Sequence, residues 1–400
     1  MPTPRVLISG ASIAGPTTAH WLHRHGWATT VVERFDGPRG AGQNIDVRGA
    51  GREVLRRMDL EDAVRGCSTG EQGLEFVDAA GRTLAAFPAG ESDTGGATAE
   101  LEVLRGELSR LVVERTTGTE YLFGDRIVAL DDRADGVEVT FEHGPTRTFD
   151  VVVIAEGLTS RTRDLILPDA GIDHLGLYTA YLTIPRTAAD NDWWRWYTAP
   201  GGRTVNLRPD NLGTTRASVS FLSDVRGLED LDRPDQIRLL RRHFADAGWE
   251  TPRVLAALAD TAFYFDTVGQ MRLPTWSSGR VVLVGDAAYC ASPVSGMSTS
   301  LALVGAYVLA GELAGGGDHR VAFARYEATM RPYVEQAQDL PPGTPRLAHP
   351  RSRAGVSALR AAVRVAGSPV GKRVAGLAGG LFSPPADRIE LPAYPTLRTV

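Results

Sequence analysis

The sequence predicts an α/β fold: a parallel-sheet domain interrupted by an inserted antiparallel sheet and followed by a C-terminal helical segment. Three observations predict it. The chain opens on a strand, a glycine turn, a helix and a second strand. Two later apolar strands end at glycine-containing turns, Glu156-Gly157 and Gly285-Asp286. Between them lie stretches in which apolar and polar residues alternate, separated by turn residues.

Arg5-Val-Leu-Ile-Ser9 is an aliphatic run of the kind buried in parallel sheets. It leads into Gly10-Ala-Ser-Ile-Ala-Gly15, and Pro16 then sits in a first helical turn, where no N–H is needed. The helix extends to about His25, and Gly26 ends it. Thr29–Glu33 is a second strand closing in an acid, with Arg34 beside it. This is the Rossmann-like dinucleotide fingerprint. Gly10 permits the sharp turn, and Gly15 permits close helix packing on the sheet. The helix N-terminus at Ser12, Ile13 and Ala14 presents N–H groups to a pyrophosphate. Glu33 accepts from the hydroxyls of an adenosine ribose, and its charge repels a 2′-phosphate, so the bound ligand is FAD or NAD. Ser12 stands where the middle glycine is usual.

Asp150–Arg163 is another buried strand breaking at Glu156-Gly157, and Gly279–Tyr289 is a third, ending at Gly285-Asp286. Asp286 can hold the hydroxyls of a ribityl chain or cap the following helix. Pro293-Val-Ser-Gly-Met-Ser298 opens a long helix, with the N–H groups of Gly296 and Met297 placed to face a flavin pyrimidine edge.

With these motifs in this order, the chain resembles the para-hydroxybenzoate hydroxylase class of flavin monooxygenases. It is most similar to the tetracycline-inactivating monooxygenases and their actinobacterial relatives. The resemblance implies a glutathione-reductase-type FAD-binding domain with an inserted substrate domain. It implies that Asp46, in Gln43–Arg48, stands beside the flavin and that Arg105, in Leu101–Leu108, contacts the ribityl-pyrophosphate part of FAD. A backbone contact to adenine falls near Val128, and Pro293 and Met297 lie near the ring. Taken alone, Asp46 reads equally as a turn residue and Arg105 as a helix-face arginine. The implied reaction takes hydride from NADH or NADPH, forms a flavin C4a-hydroperoxide with dioxygen and passes one oxygen atom to a small molecule. Three positions depart from the family pattern: Glu156 for Asp, Tyr289 for His and Ser298 for Gly. A positive φ at Ser298 would be strained. These departures leave open a non-redox cyclase that keeps FAD, and a protein that sequesters a drug-like molecule.

The organisation expected is an FAD-binding domain from residues 1–72, 97–168 and 270–335, a substrate domain from 73–96 and 169–269, and a helical region over 336–400. Helices are expected at Gly49–Met58, Leu101–Arg115, Pro234–Ala247, Pro252–Ala259 and Arg351–Arg373. Phe263–Val268 is read as returning the chain to the FAD-binding domain. Aromatic residues gather in the substrate domain. Tyr178, Trp194, Trp196 and Phe265, with Arg48 from the flavin side, are the candidate substrate contacts. Arg48 also reads as a surface residue. Together the aromatic residues suggest a large, flat, mostly apolar substrate.

The chain has 400 residues, 43% of them hydrophobic, and a net charge of −5, which argues against nucleic acid as a partner. Cys67 and Cys290 match no metal-ligand spacing and read as reduced, in keeping with a cytoplasmic protein. Neither a signal peptide nor a membrane span is read from the sequence. The protein is expected to act as a monomer or homodimer.

Overall fold

The computed structural model describes residues 3–38, 40, 42–89, 101–368, 371 and 389–394. Its first part comprises β1 (Arg5–Ser9), α1 (Ala14–Arg24), β2 (Ala28–Glu33), β3 (Asn44–Asp46), α2 (Gly49–Arg57), α3 (Glu61–Gly66), β4 (Gly73–Val77) and β5 (Thr83–Pro88). Then come β6 (Glu102–Leu104), α4 (Arg105–Glu114), β7 (Glu120–Phe123), β8 (Ile127–Arg133), β9 (Gly136–Phe141), β10 (Arg147–Phe149), β11 (Val151–Ile154) and α5 (Arg161–Ile166). The long insertion holds β12 (Ile172–Pro185), β13 (Trp194–Ala199), β14 (Arg203–Pro209), β15 (Thr214–Leu222), α6 (Arg233–Phe244), α7 (Thr251–Ala257) and β16 (Phe263–Met271). The chain continues with β17 (Ser277–Ser278), β18 (Val281–Leu283), α8 (Asp286–Tyr289), α9 (Ser298–Ala314), α10 (His319–Gln338) and α11 (Arg353–Gly367).

The first sheet has the order β17-β18-β11-β1-β2-β7, parallel except for the edge strand β17. Val6, Leu7 and Ile8 of β1 and all of β11 are buried, as strands covered on both faces must be. Helix α9 is apolar around most of its surface because α1, α2 and α10 all pack on it. A small antiparallel sheet, β10-β9-β8, flanks this domain.

The second sheet has the order β16-β12-β15-β14-β13-β4-β5, and its only parallel pair is β13 with β4. One face is covered by α6 and α7, whose Leu240, Phe244 and Val254 pack on Val205, Val219 and Phe221. Asp232 caps α6 by accepting from Asp235 N at 2.8 Å, with Pro234 in the first turn. Phe263–Met271 does not simply lead back to the first domain. It pairs with β12 along its whole length as the sheet's edge strand.

Leu101–Arg115 splits into a strand and a helix. Glu102–Leu104 pairs antiparallel with β3, Asp46 opposite Glu102, and helix begins only at Arg105. Apolar residues at such short spacing satisfy either period, and the partner strand decides. Helix α11 packs on β5 and β13, and residues 389–394 return to the first domain. There the Tyr394 ring lies over Tyr307 and its hydroxyl donates to Glu312 at 2.8 Å. No helix among the described residues is long and apolar enough to cross a membrane.

Candidate functional site

The ends of β1, β2 and β11 open on one cavity of about 330 Å³. At the end of β1, Gly10 has φ 108°, and a Cβ there would stand 2.5 Å from the Ala155 carbonyl oxygen. Gly15 does not line the cavity. Its own Cβ would meet Gly10 O at 1.9 Å, so it lets α1 pack against the turn. The N-terminus of α1 is thereby held at the cavity, where Ser12, Ile13 and Ala14 line the wall. Glu33, Arg34 and Phe35 line the far end. Glu33 is fixed by Ala11 N at 2.8 Å and Phe35 N at 3.2 Å. Arg126 and Ile127 complete that end, whereas the Val128 side chain is 42% exposed and outside the lining. The register of β8 against β9 shifts between Ile127 and Ala129, so Val128 falls at an irregularity in the strand while Ile127 is buried.

Glu156 and Gly157 line the middle of the cavity. The Glu156 carboxylate accepts from Ser9 Oγ, from Ser160 Oγ at 2.8 Å, from Thr162 N at 3.2 Å and from Thr162 Oγ1 at 2.5 Å. The methylene it has beyond aspartate therefore lets it bridge two strand ends and the start of α5. Arg163 is buried behind it and donates to Leu158 O at 2.8 Å; burial lowers its pKa. Arg161 lines the cavity.

Arg105, Asp286, Pro293, Ser298 and Thr299 line the other end. Desolvation raises the pKa of the half-buried Asp286, and the Arg105 charge opposes that rise. Gly285 lies outside the lining; its φ of 68° brings the turn close to Ala14. Gly296 and Met297 also lie outside it. Their N–H groups are used within the turn, Gly296 N to Pro293 O at 3.3 Å and Met297 N to Ser295 Oγ at 3.1 Å, and the Met297 side chain is fully buried. The backbone strain expected at Ser298 falls instead on Ser292, φ 74°; Ser298 begins α9, and its Oγ is buried without a protein partner. Tyr289 points away from the cavity into the core, where it accepts from Tyr326 Oη at 2.9 Å.

Asp46 and Arg48 do not line the cavity, although Ile45 between β3's ends does. They pair at 2.8 Å. Arg48 is not a surface residue: it is 2% exposed, held where its backbone meets Ser300 of α9, and its Nε and Nη1 have no protein partner.

The family model described as an FAD binding domain matches residues 3–340. The chain belongs to this FAD-binding family. A flavin-dependent monooxygenase, eupH of Phoma sp, is 34% identical to the flavoprotein, with 99% of this chain and 98% of that one covered. An uncharacterized protein of Mycobacterium tuberculosis is 40% identical over 85% of this chain and 94% of its own length. Among solved structures, the tetracycline destructase Tet(51) superposes with a TM-score of 0.80 at 30% identity, covering 98% of this chain and all of that one.

The flavoprotein's second sheet presents its other face to the first domain. Arg208 on β14 reaches Glu102 on β6, and Asn44 Nδ2 on β3 donates to Pro209 O at 2.9 Å. Trp194 and Trp196 lie on this face, their indole N–H groups donating to Asn206 Oδ1 and Thr198 Oγ1, each at 3.2 Å. Tyr178 and Phe265 do not. Both are in the core beneath α6 and α7, stacked at 5.7 Å, because their positions in β12 and β16 alternate to the helix side. The face toward the first domain is largely polar. Thr179 and Ser220 bond at 2.9 Å, and Tyr181, Ser218, Asn206 and Trp196 follow in register. His349 reaches this face from the segment before α11, bonding Thr204 Oγ1 at 3.2 Å. Hydroxyls stand between the aromatic residues on this face, a polarity that the count of aromatic residues in the sequence does not show. No local motif joins Glu71, Glu102 and Arg208, which lie far apart in the chain.

Proposed function

We propose that this protein is an FAD-dependent monooxygenase that uses NADH or NADPH and dioxygen to oxygenate a flat aromatic or polycyclic small molecule bearing several oxygen functions. The observation that carries the reading is the single cavity on which β1, β2 and β11 end, with Glu33 at one end and Asp286 and Ser298 at the other. Its residues fit FAD. A Cβ at Gly10 would strike the Ala155 carbonyl and displace the turn that lines the cavity, and Ser298 brings a buried hydroxyl oxygen to the other end. Glu33 and Arg34 would hold the adenosine end, the N-terminus of α1 the pyrophosphate, and Asp286 and Arg105 the ribityl chain.

Bound FAD supplies hydride acceptance and dioxygen activation. The protein's part is binding, orientation and exclusion of water. The first N–H groups of α9 carry the positive end of its dipole, which favours negative charge beside Ser298 and Thr299. Trp194 and Trp196 offer ring faces to a flat substrate, while Thr179, Tyr181 and Ser218 offer hydroxyls to its oxygen atoms. The names of the relatives support the reaction class, and the likeness to Tet(51) makes tetracyclines a reasonable first set of test compounds.

The test is to purify the protein, extract the cofactor and follow NAD(P)H loss and oxygen uptake with candidate substrates. Stoichiometric FAD, substrate-stimulated NAD(P)H oxidation and a product heavier by one oxygen atom are expected. A protein that stays colourless after reconstitution with FAD, or conversion without reductant and oxygen, overturns the reading.

A further inference from the structure

Arg208 is buried between two acids where the two domains meet. It donates to Glu71 at 2.8 and 3.0 Å and to Glu102, and its guanidinium carbon lies 4.3 Å from the Trp194 ring centre. The Glu71 side chain is 1% exposed and that of Glu102 4%. The two carboxylates converge on one nitrogen, Arg208 Nη2, which donates to Glu71 Oε1 at 3.0 Å and to Glu102 Oε2. Glu102 accepts in addition from Asn44 Nδ2 at 2.8 Å and from Thr69 Oγ1.

The surrounding charges are matched. Asp46, opposite Glu102 on β3, pairs with Arg48 at 2.8 Å. Arg216, opposite Arg208 on β15, pairs with Asp210 at 2.9 Å. One carboxylate of the Glu71–Glu102 pair is therefore left without a cation. An unmatched buried negative charge is costly, and binding a proton removes it.

We propose that Glu71 and Glu102 hold one shared proton across Arg208, and that this protonated cluster is a positioning device for the paired strands β3 and β6 at the cofactor cavity. Strand β3 carries Ile45 into the cavity, and β6 runs directly into Arg105, which also lines it. Burial pushes Glu71 up to about 8, with the Glu102 charge adding to the rise and the Arg208 charge opposing it. Loss of the proton places a net negative charge beside Asp46 and loosens the seat of the β3–β6 strand pair against β14. The positioning role rests on the FAD reading above; the proton itself does not.

Infrared spectroscopy of the full-length protein tests the proton. At neutral pH the wild type is expected to show a protonated-carboxyl stretch that disappears with a midpoint of about 8 and is absent from Glu71→Gln. No such band in the wild type overturns the proposal; because burial also raises the pKa values of Asp266 and Asp286, the band is assigned by its loss in Glu71→Gln or, should that variant not fold, in Glu102→Gln. In the FAD-loaded protein, the wild-type flavin absorbance and FAD affinity are expected to change with the same midpoint, the affinity falling severalfold. Glu71→Gln, which keeps the neutral shape, should hold the low-pH values throughout. A flavin that ignores the transition, or a variant that titrates like the wild type, overturns the positioning role. Absence of FAD with the infrared band present fails the cofactor reading and leaves the shared proton established.

Discussion

Glu156 accepts a hydrogen bond from the Ser9 hydroxyl, which ties the loop after β11 to the end of β1 at the cavity that both residues line. The same carboxylate holds Ser160 and Thr162 at the start of α5. Aspartate, one methylene shorter, cannot hold all of these at once. Glu156→Asp is expected to release Ser9 and speed FAD dissociation severalfold. Glu156→Ala leaves three hydroxyls without their acceptor and should lower stability by about 1–3 kcal/mol. Stopped-flow FAD release and denaturant unfolding check the two outcomes.

Gly10→Ala combines a positive φ with a Cβ 2.5 Å from Ala155 O. The strain alone is about 1–3 kcal/mol, and the collision moves the turn out of the cradle. The variant should purify with little FAD and a lowered Tm. Gly296→Ala is the control. Its φ is 66° but nothing lies within 4 Å of the new Cβ, so it should lose some stability and keep its FAD. The ratio of visible to ultraviolet absorbance distinguishes them.

Substitutions on the two faces of the second sheet should separate. Trp196→Ala removes a ring from the face toward the first domain and should raise KM severalfold, with a smaller loss of Tm than a core truncation because the half-buried ring also packs on Phe76, Trp194 and His349. Phe265→Ala, beneath α6 and α7, should lower stability by about 3–5 kcal/mol and leave KM unaltered in whatever folds. Steady-state kinetics beside thermal unfolding reads both.

His20, on α1, is buried with Nδ1 3.3 Å from Arg115 O, and its burial lowers its pKa to about 4. The unfolded chain takes up this proton near the ordinary histidine value while the folded chain resists it. The contribution to stability is therefore present above pH about 6.5 and is lost as the pH falls toward about 4. It amounts to something on the order of 3 kcal/mol. His20→Phe should flatten the fall of Tm across that interval; an unchanged acid slope counts against the assignment.

The first βαβ unit was legible because each of its signals is local: an aliphatic run, a glycine turn, Pro16 and an acid at the strand end. The residues lining the cavity from Gly10 to Arg34 follow from that unit alone. Tyr178 and Phe265 lie on the helix side of the second sheet rather than the side toward the first domain, for one reason. In a strand a shift of one residue reverses the face, and pattern reading tolerates shifts of that size. Glu102 was hidden because Leu101–Leu104 suits a helix as well as a strand, and only pairing with β3 settles it.

The order of residues along the chain was enough to dictate where nucleotide-binding turns form, since short-range sterics and hydrogen bonding act between neighbours. Which face Trp196 and Phe265 present, and that Glu71 and Glu102 share Arg208, arose only when distant strands came into register. Burial and charge pairing depend on those long-range neighbours, and no window of sequence contains them.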